Sequence, residues 1–357
     1  MITTENRMQM TGSSCELSQE SPLAILIREN SMSTPQQPIA TPFDAASTAA
    51  EVMAGIDLTG QLTIVTGGHS GLGLVTTQRL VAAGARVIVP ARDPQRARVA
   101  LAGIAGADRI DVREMDLIHP DSVSAFSRGV VGEGQPVALL INCAGVMASP
   151  LARDVDGHEG QFATNHLGHY RLTCGLWPAL VAAGAARVIS VSSRGHQIAG
   201  IDFDDIDFQR RPYDKWVAYG QSKTANALFA IALDARGKDH GVRGFSLHPG
   251  QILTDLGRHL SAEEVAAFGV LDEHGNQRLD PHAGLKTLEQ GAATGLWCAT
   301  SPALDGKGGV YCENCNIAAP HDAQAGRAGV ASWASDAELA ERLWALSEQW
   351  TGLTVPV

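Results

Sequence analysis

The sequence predicts a doubly wound α/β domain: a parallel sheet of about seven strands with helices on both faces. Three observations carry that expectation. From Gln61 onward, short apolar runs alternate with longer helix-like segments. Most of these runs are continuous in apolar residues rather than alternating, as in strands buried on both faces of a parallel sheet. The first run also leads straight into a glycine-rich turn with a helical segment behind it, the junction from which such folds are built.

The elements follow in chain order. Residues 1–45 are rich in Ser, Thr, Gln and Pro and lack hydrophobic periodicity, so they are expected to form a mobile N-terminal extension, with Met32 a second candidate start. Ala45–Ala54 is a short helical stretch ended by Gly55. The expected strands are Leu62–Thr66, Arg86–Pro90, Ile110–Met115, Val137–Asn142, Arg187–Ser192, Arg243–His248 and Gly309–Glu313. Gly73–Ala83, Asp121–Arg128, Arg171–Ala183 and Ser222–Arg236 are long enough for crossover helices. No internal repeat is visible. Residues 46–357 are assigned to one domain with an insertion near 255–285.

Composition narrows the function. Of 357 residues, 27 are Lys or Arg and 38 Asp or Glu, a net charge of −11, and 45% are hydrophobic. That balance excludes a disordered chain and offers no basic stripe for a nucleic acid. No apolar run reaches the roughly 18 residues of a membrane helix, and Pro22–Ile27 is too short for a signal-peptide core. Six cysteines, at 15, 143, 174, 298, 312 and 315, do not form the framework of a secreted disulfide protein. The expectation is a soluble cytoplasmic protein without membrane or nucleic-acid partners.

The first strand runs into Thr66-Gly67-Gly68-His69-Ser70-Gly71-Leu72-Gly73. Glycines there let the backbone turn tightly and approach a pyrophosphate, which the free N–H groups of the following helix would receive. A strand before the triplet and a helix after it point to dinucleotide binding. Tyr219 and Lys223, four apart, share one helical face. A neighbouring ammonium favours the phenolate and is expected to lower the Tyr219 pKa towards the working range of a proton carrier. Ser193 ends the fifth strand, where open α/β sheets place their ligand crevice, and its hydroxyl can bind a substrate oxygen. At the end of the second strand, Ala91 stands where an NAD-preferring site would put an acid, and Arg92 follows with a guanidinium suited to a phosphate. Asp93-Pro94 reads as the cap and first turn of the next helix. NADP(H) is therefore expected over NAD(H), with NAD an open second choice.

In spacing, Thr66-Gly67-x-x-x-Gly71-x-Gly73 resembles the short-chain dehydrogenase/reductase family, whose fold is Rossmann-type, and further motifs add to the likeness over residues 46–357. Asn142-Cys143-Ala144-Gly145 is similar to the family's Asn-Ala-Gly motif, which steadies the sheet beside the cofactor. Asp116-Leu117 resembles the position that meets the adenine. Ser192-Ser193 with Tyr219-Gly220-Gln221-Ser222-Lys223 resembles the catalytic set, and His248-Pro249-Gly250 with Ile252 and Thr254 the loop flanking the nicotinamide. Gln161–Thr173 and Gln290–Ala319 resemble the retinol-dehydrogenase and WW-domain-oxidoreductase branch. The resemblance implies Ser193, Tyr219, Lys223 and Asn165 as the catalytic residues. Asn165 would anchor a water leading to Lys223, and Lys223 would also hold the nicotinamide ribose. It further implies that Thr66, Gly67, His69, Ser70, Gly71, Leu72 and Gly73, with Arg92, Asp116, Leu117, Asn142, Ala144 and Gly145, surround the cofactor, along with Pro249, Gly250, Ile252 and Thr254.

The reaction so implied is hydride transfer between an alcohol and its ketone or aldehyde, NADP(H) being the cofactor and a lipophilic small molecule the substrate. Leu256–Gly284 would fold over that molecule. Cys312-x-x-Cys315 lacks a second pair for zinc, and His166-x-x-His169 lacks a completing carboxylate, so no metal site is expected. Asp202, Asp204, Asp205 and Asp207 read as a solvated loop, and Tyr170 and Tyr213 as packing or pocket-wall residues. The competing reading is a non-catalytic dinucleotide-binding regulatory or scaffold protein, whose sign would be loss of Tyr219 or Lys223. An epimerase or dehydratase would need a larger segment after Pro249. A homo-oligomer stays open.

Overall fold

The computed structural model describes residues 34–324 and 326–356. Thr48 and Glu51 form a reciprocal capping box that starts α1 (Ala49–Val52). There follow β1 (Leu62–Val65), α2 (Gly71–Ala82), β2 (Arg86–Ala91), α3 (Pro94–Leu101), β3 (Ile110–Glu114), α4 (Pro120–Gly132) and β4 (Val137–Asn142). A helical turn Gly160–Phe162 and a π-helical turn Ala163–Leu167 lead into α5 (Gly168–Ala182), then β5 (Ala186–Val191), α6 (Lys215–Gly237) and β6 (Val242–His248). The chain closes with α7 (Ala262–Ala267), α8 (Leu288–Thr300), β7 (Val310–Glu313), β8 (Asn316–Ile317) and α9 (Ala337–Thr351).

The strands make one sheet in the order β3-β2-β1-β4-β5-β6-β7-β8. Every neighbouring pair is parallel except β7 and β8. The order reverses between β1 and β4, and at such a switch point the carboxyl ends of the strands open a crevice. Successive residues feed opposite layers. Val87 and Val89 join α1, α2 and α8 in one buried cluster, while Ile88 joins α4, α5, α6 and α9 in the other. This two-sided burial is why the strands read as continuous apolar runs.

Two features differ from the sequence expectation. The sheet has an eighth strand, because Asn314 (φ 53) and Cys315 (φ 56) both take the left-handed conformation and reverse the chain in two residues. Asn314 tolerates that conformation, but Cys315 stands where glycine is usual, so the turn lacks the Asn-Gly signature. The boundary of the extension also moves, since the described unit begins at Thr34, not after residue 45. The Gln36 side chain donates through Nε2 to the carbonyls of Tyr311 (2.8 Å) and Ala318 (2.7 Å), and its Oε1 accepts from Tyr311 N–H at 2.9 Å. Asn316 exchanges two hydrogen bonds with the backbone of Ile39. Polar side chains that look solvated in sequence are thus bonded to the last two strands. The expectation for residues 1–33 lies outside the described residues.

Candidate active site

The carboxyl ends of β1, β4, β5 and β6 meet at one cavity of about 480 Å³. On its first side is the glycine turn. Gly67 and Gly71 have φ of +67 and +50, and a Cβ on Gly73 would collide with the Gly67 carbonyl, so the turn requires glycine at these positions. Ser70, the residue before α2, makes no side-chain capping bond, which leaves first-turn N–H groups of a twelve-residue helix facing the cavity. This donor set and the glycine cradle fit a dinucleotide pyrophosphate.

Thr66 fastens the turn to its neighbours. Its Oγ1 accepts from the N–H groups of Cys143 (2.9 Å) and Ala144 (3.0 Å) and lies 2.9 Å from His169 Nε2. His169 Nδ1 lies 2.9 Å from the Asn165 carbonyl, an acceptor only, so the proton sits on Nδ1 and Thr66 donates to Nε2. Burial holds His169 at about 4, hence neutral. The Asn142-Cys143-Ala144-Gly145 segment is thus tied to the glycine turn through Thr66, while the Asn142 amide is buried without a hydrogen-bond partner.

The opposite wall carries the reactive groups. Asp214 caps α6 by accepting from Trp216 and Val217 N–H, and one turn later Tyr219 and Lys223 point into the cavity, each 4% exposed. Ser193 caps the short 3₁₀ turn Arg194–Gln197, and its Oγ accepts from Gly195 N–H at 3.0 Å. A Cβ on Gly195 would stand 2.6 Å from Tyr219 Cε1, so glycine is what lets the ring approach Ser193. Ser192 faces the other way, with its hydroxyl donating to the Lys223 carbonyl at 2.6 Å. Lys223 Nζ donates to the Val191 carbonyl at 2.9 Å. Asn165 lies in the π-helical turn, a local distortion frequent at functional sites. Its Oδ1 accepts from Val146 N–H, and its Nδ2 donates to the Val146 carbonyl and Ser222 Oγ. A Cβ on Gly145 would lie 3.0 Å from Asn165 Oδ1 and 3.7 Å from Lys223 Nζ, so these three residues converge.

Burial dominates the electrostatics. It pushes Tyr219 up to about 12, against a downward pull from the Ser193 hydroxyl. The expected lowering by Lys223 is absent because that ammonium, 5.7 Å from the ring centre, is directed at the Val191 carbonyl and is itself brought down to about 8 by desolvation. Tyr219 therefore holds its proton at neutral pH.

Fourteen of the residues expected at the site line the cavity, from Gly67 through Thr254, including Ser193, Tyr219 and Lys223. Thr66, Asn142, Leu117 and Asn165 lie behind the lining, and the Leu117 side chain is buried in the core. Asp116 lies two residues beyond β3, and its Oδ1 accepts from Ile118 N–H. Beside the turn, Arg92 and Arg96 both act on His69, whose ring burial keeps neutral and whose Nδ1 has no partner. Asp93 accepts from Arg96 N–H as the cap of α3. Cys143, Met147, Arg194, Ile198, Trp216 and Arg327 also line the cavity without a sequence expectation as site residues, while Val265, Phe268 and Val270 belong to the expected covering segment. Glu264 of α7 accepts from Lys215 Nζ and Trp216 Nε1, which ties the covering segment to the start of α6. Among the described residues no group of three or more His, Cys, Asp or Glu could hold a metal, and no helix is long and apolar enough to cross a membrane.

The chain is similar to known proteins in sequence and fold. The family described as short chain dehydrogenase matches residues 61–265. A probable oxidoreductase of Streptomyces antibioticus is 46% identical over 294 residues, spanning 81% of this chain and 97% of that protein. Human retinol dehydrogenase 12 is 34% identical over 305 residues, 84% of this chain and 88% of its own. A solved structure of an uncharacterised protein from Mycobacterium paratuberculosis superposes with a TM-score of 0.66 at 33% identity, covering 87% of this chain and all of that one. The chain belongs to the short-chain dehydrogenase/reductase family and is an oxidoreductase of that class, which uses NAD(P) and acts on a small molecule.

Proposed function

We propose that the protein interconverts a lipophilic alcohol and its ketone or aldehyde with NADP(H). The observation that carries the reading is the convergence of Ser193, Tyr219 and Lys223 with the glycine turn on one cavity. When bound there, the cofactor supplies or receives the hydride; the chain handles the proton and the charge. Tyr219, protonated at neutral pH, donates to the carbonyl oxygen during reduction and takes the hydroxyl proton during oxidation. Ser193 Oγ accepts from Gly195 N–H, and its O–H, directed to the Tyr219 oxygen, can turn to the substrate oxygen when that is present and stabilise its developing charge. Lys223 holds positive charge beside Tyr219, and Asn165, bonded on both sides of its amide, positions the wall opposite. Leu253, Leu256, Leu260, Val265 and Phe268 supply an apolar surface that excludes water and suits a lipophilic substrate, in keeping with relatives named retinol dehydrogenases.

Preference for NADP(H) rests on Ala91 at the end of β2, Asp93 being used as a helix cap, and the paired guanidiniums of Arg92 and Arg96 beside His69. The test is NADPH oxidation against a panel of lipophilic aldehydes and ketones. In Tyr219→Phe the ring is kept and only the donor lost, so turnover should fall on the order of 10²-fold or more while NADPH still binds. A variant keeping half the wild-type turnover would overturn the reading.

A further inference from the structure

Arg194 follows Ser193 directly and lines the same cavity as Tyr219. Its backbone is fixed at both ends of the turn, its N–H donating to His248 Nδ1 and the next N–H to Ser193 Oγ. Its side chain is largely buried, and Nε is wholly inaccessible without a partner. Among the described residues the guanidinium makes no ion pair and no hydrogen bond, although it carries five donors. Other large basic side chains of the interior each have at least one partner: Arg187 has Asp305 and two carbonyls, Arg243 has Asp234, Lys286 has Asn314, and Arg171 has Asp156, although one of its terminal nitrogens is orphaned. A buried guanidinium nitrogen such as Arg194 Nε is costly without an acceptor unless something else supplies one.

The surroundings of Arg194 add positive charge. Lys286 and Arg327 both act on it or on its neighbours, and Arg327 also lines the cavity. The Glu313 carboxylate acts on Arg194 without reaching ion-pair distance, and its Oε1 accepts from Gly329 N–H. His248 is buried and neutral, with Nε2 unpartnered. The fork lies against the covering segment at Gly284 (φ +91), where a Cβ would stand 3.2 Å from Arg194 Nη1. The second terminal nitrogen would be at 3.3 Å, so glycine at that position leaves room in front of the fork.

The geometry points to a substrate that is amphipathic, with an apolar body bearing a carboxylate that Arg194 receives while the alcohol or carbonyl meets Ser193 and Tyr219. A planar carboxylate can take two parallel hydrogen bonds from the fork and neutralise the local excess of positive charge. The apolar residues of the covering segment would pack on the body between the two ends. The assignment deepens the oxidoreductase reading and rests on it for the reacting end only.

Binding without turnover separates the two. Octanoate and octanamide have the same shape and differ in charge, so calorimetric titration of the full-length protein with each, with and without NADP⁺, reads the Arg194 contribution directly. Wild type should bind octanoate about tenfold or more tightly than octanamide. Arg194→Gln should bring the two within about twofold, and Arg194→Lys, which keeps the charge and loses the fork, should fall between them. Equal affinities in wild type, or an unchanged ratio in Arg194→Gln, would overturn the assignment. So would an Arg194→Gln protein whose only loss is in NADP⁺ binding. The wild-type comparison decides the matter even if the variants fold poorly. Turnover by Tyr219→Phe does not enter, so either reading can fail while the other stands.

Discussion

Arg92 stands exposed beside His69 with Ala91 buried behind it, and the pair makes a cofactor prediction that one substitution can test. Arg92→Ala should raise the KM for NADPH about tenfold or more and leave NADH nearly untouched, as read from kcat/KM with each cofactor. Equal losses, or a wild-type preference for NADH, would reject the NADP(H) reading. Lys223 sets a pH limit. Its pKa is brought down to about 8 while Tyr219 stays protonated up to about 12. Carbonyl reduction should be level below pH 7 and decline as pH passes 8, because the ammonium beside the tyrosine is lost while the proton donor is not. A reduction profile flat to pH 10 would show that the Lys223 charge is not needed. At this scale the sequence was informative about identity and less so about environment. Tyr219, Lys223 and Ser193 line one cavity, but a four-residue interval says nothing of where an ammonium points. Arg194 carried no periodic or motif signal, since its meaning lies in the absence of a partner, which is a property of three-dimensional packing.

Among the elements, the strap formed by residues 34–39 is the part least visible in sequence. Pattern reading registers apolar periodicity, and Gln36 and Asn316 contribute amide groups to the backbone of distant residues. Gln36→Ala removes three hydrogen bonds and leaves the part-buried Tyr311 N–H and two carbonyls to find other partners. The expected cost is about 1–3 kcal/mol, which for a protein of this size lowers Tm by a few degrees. An unchanged melting curve would show that the strap is incidental to the edge of the sheet. The helices and parallel strands were legible because their buried faces repeat. The π-helical turn at Ala163–Leu167 was not, because it is an irregularity in a hydrogen-bond ladder within an otherwise helical pattern. It matters all the same, since Asn165 and His169 are brought from that turn and the start of α5 to the glycine turn and Lys223.

For the molecule as a whole, buried histidines define how it should respond to acid. His166 is held at about 3, and His169 and His196 at about 4, each by desolvation. His196 Nε2 accepts from Ala331 N–H, and His169 Nε2 accepts from Thr66, so a second ring proton would set donor against donor. Because the folded values lie below the unfolded value of 6.5, the unfolded chain binds more protons between pH 6.5 and 4. Stability is therefore full above 6.5 and falls as pH drops through that window, each histidine contributing on the order of 1 kcal/mol per pH unit. Thermal melts from pH 7 to 4 should show a steep fall, reduced in His196→Asn if that variant folds; a Tm level down to pH 4.5 would contradict it. The strap has a consequence in time as well as in energy. Gln36 and Tyr311 are 275 positions apart, so during synthesis the strap emerges long before the strand it secures exists. The site-bearing strands β1, β4, β5 and β6 can pair while it is still loose, and its attachment comes only after β7 has joined them. On a growing chain, the first described residues are thus expected to be among the last to take their final place, closing the assembled sheet in the manner of a latch.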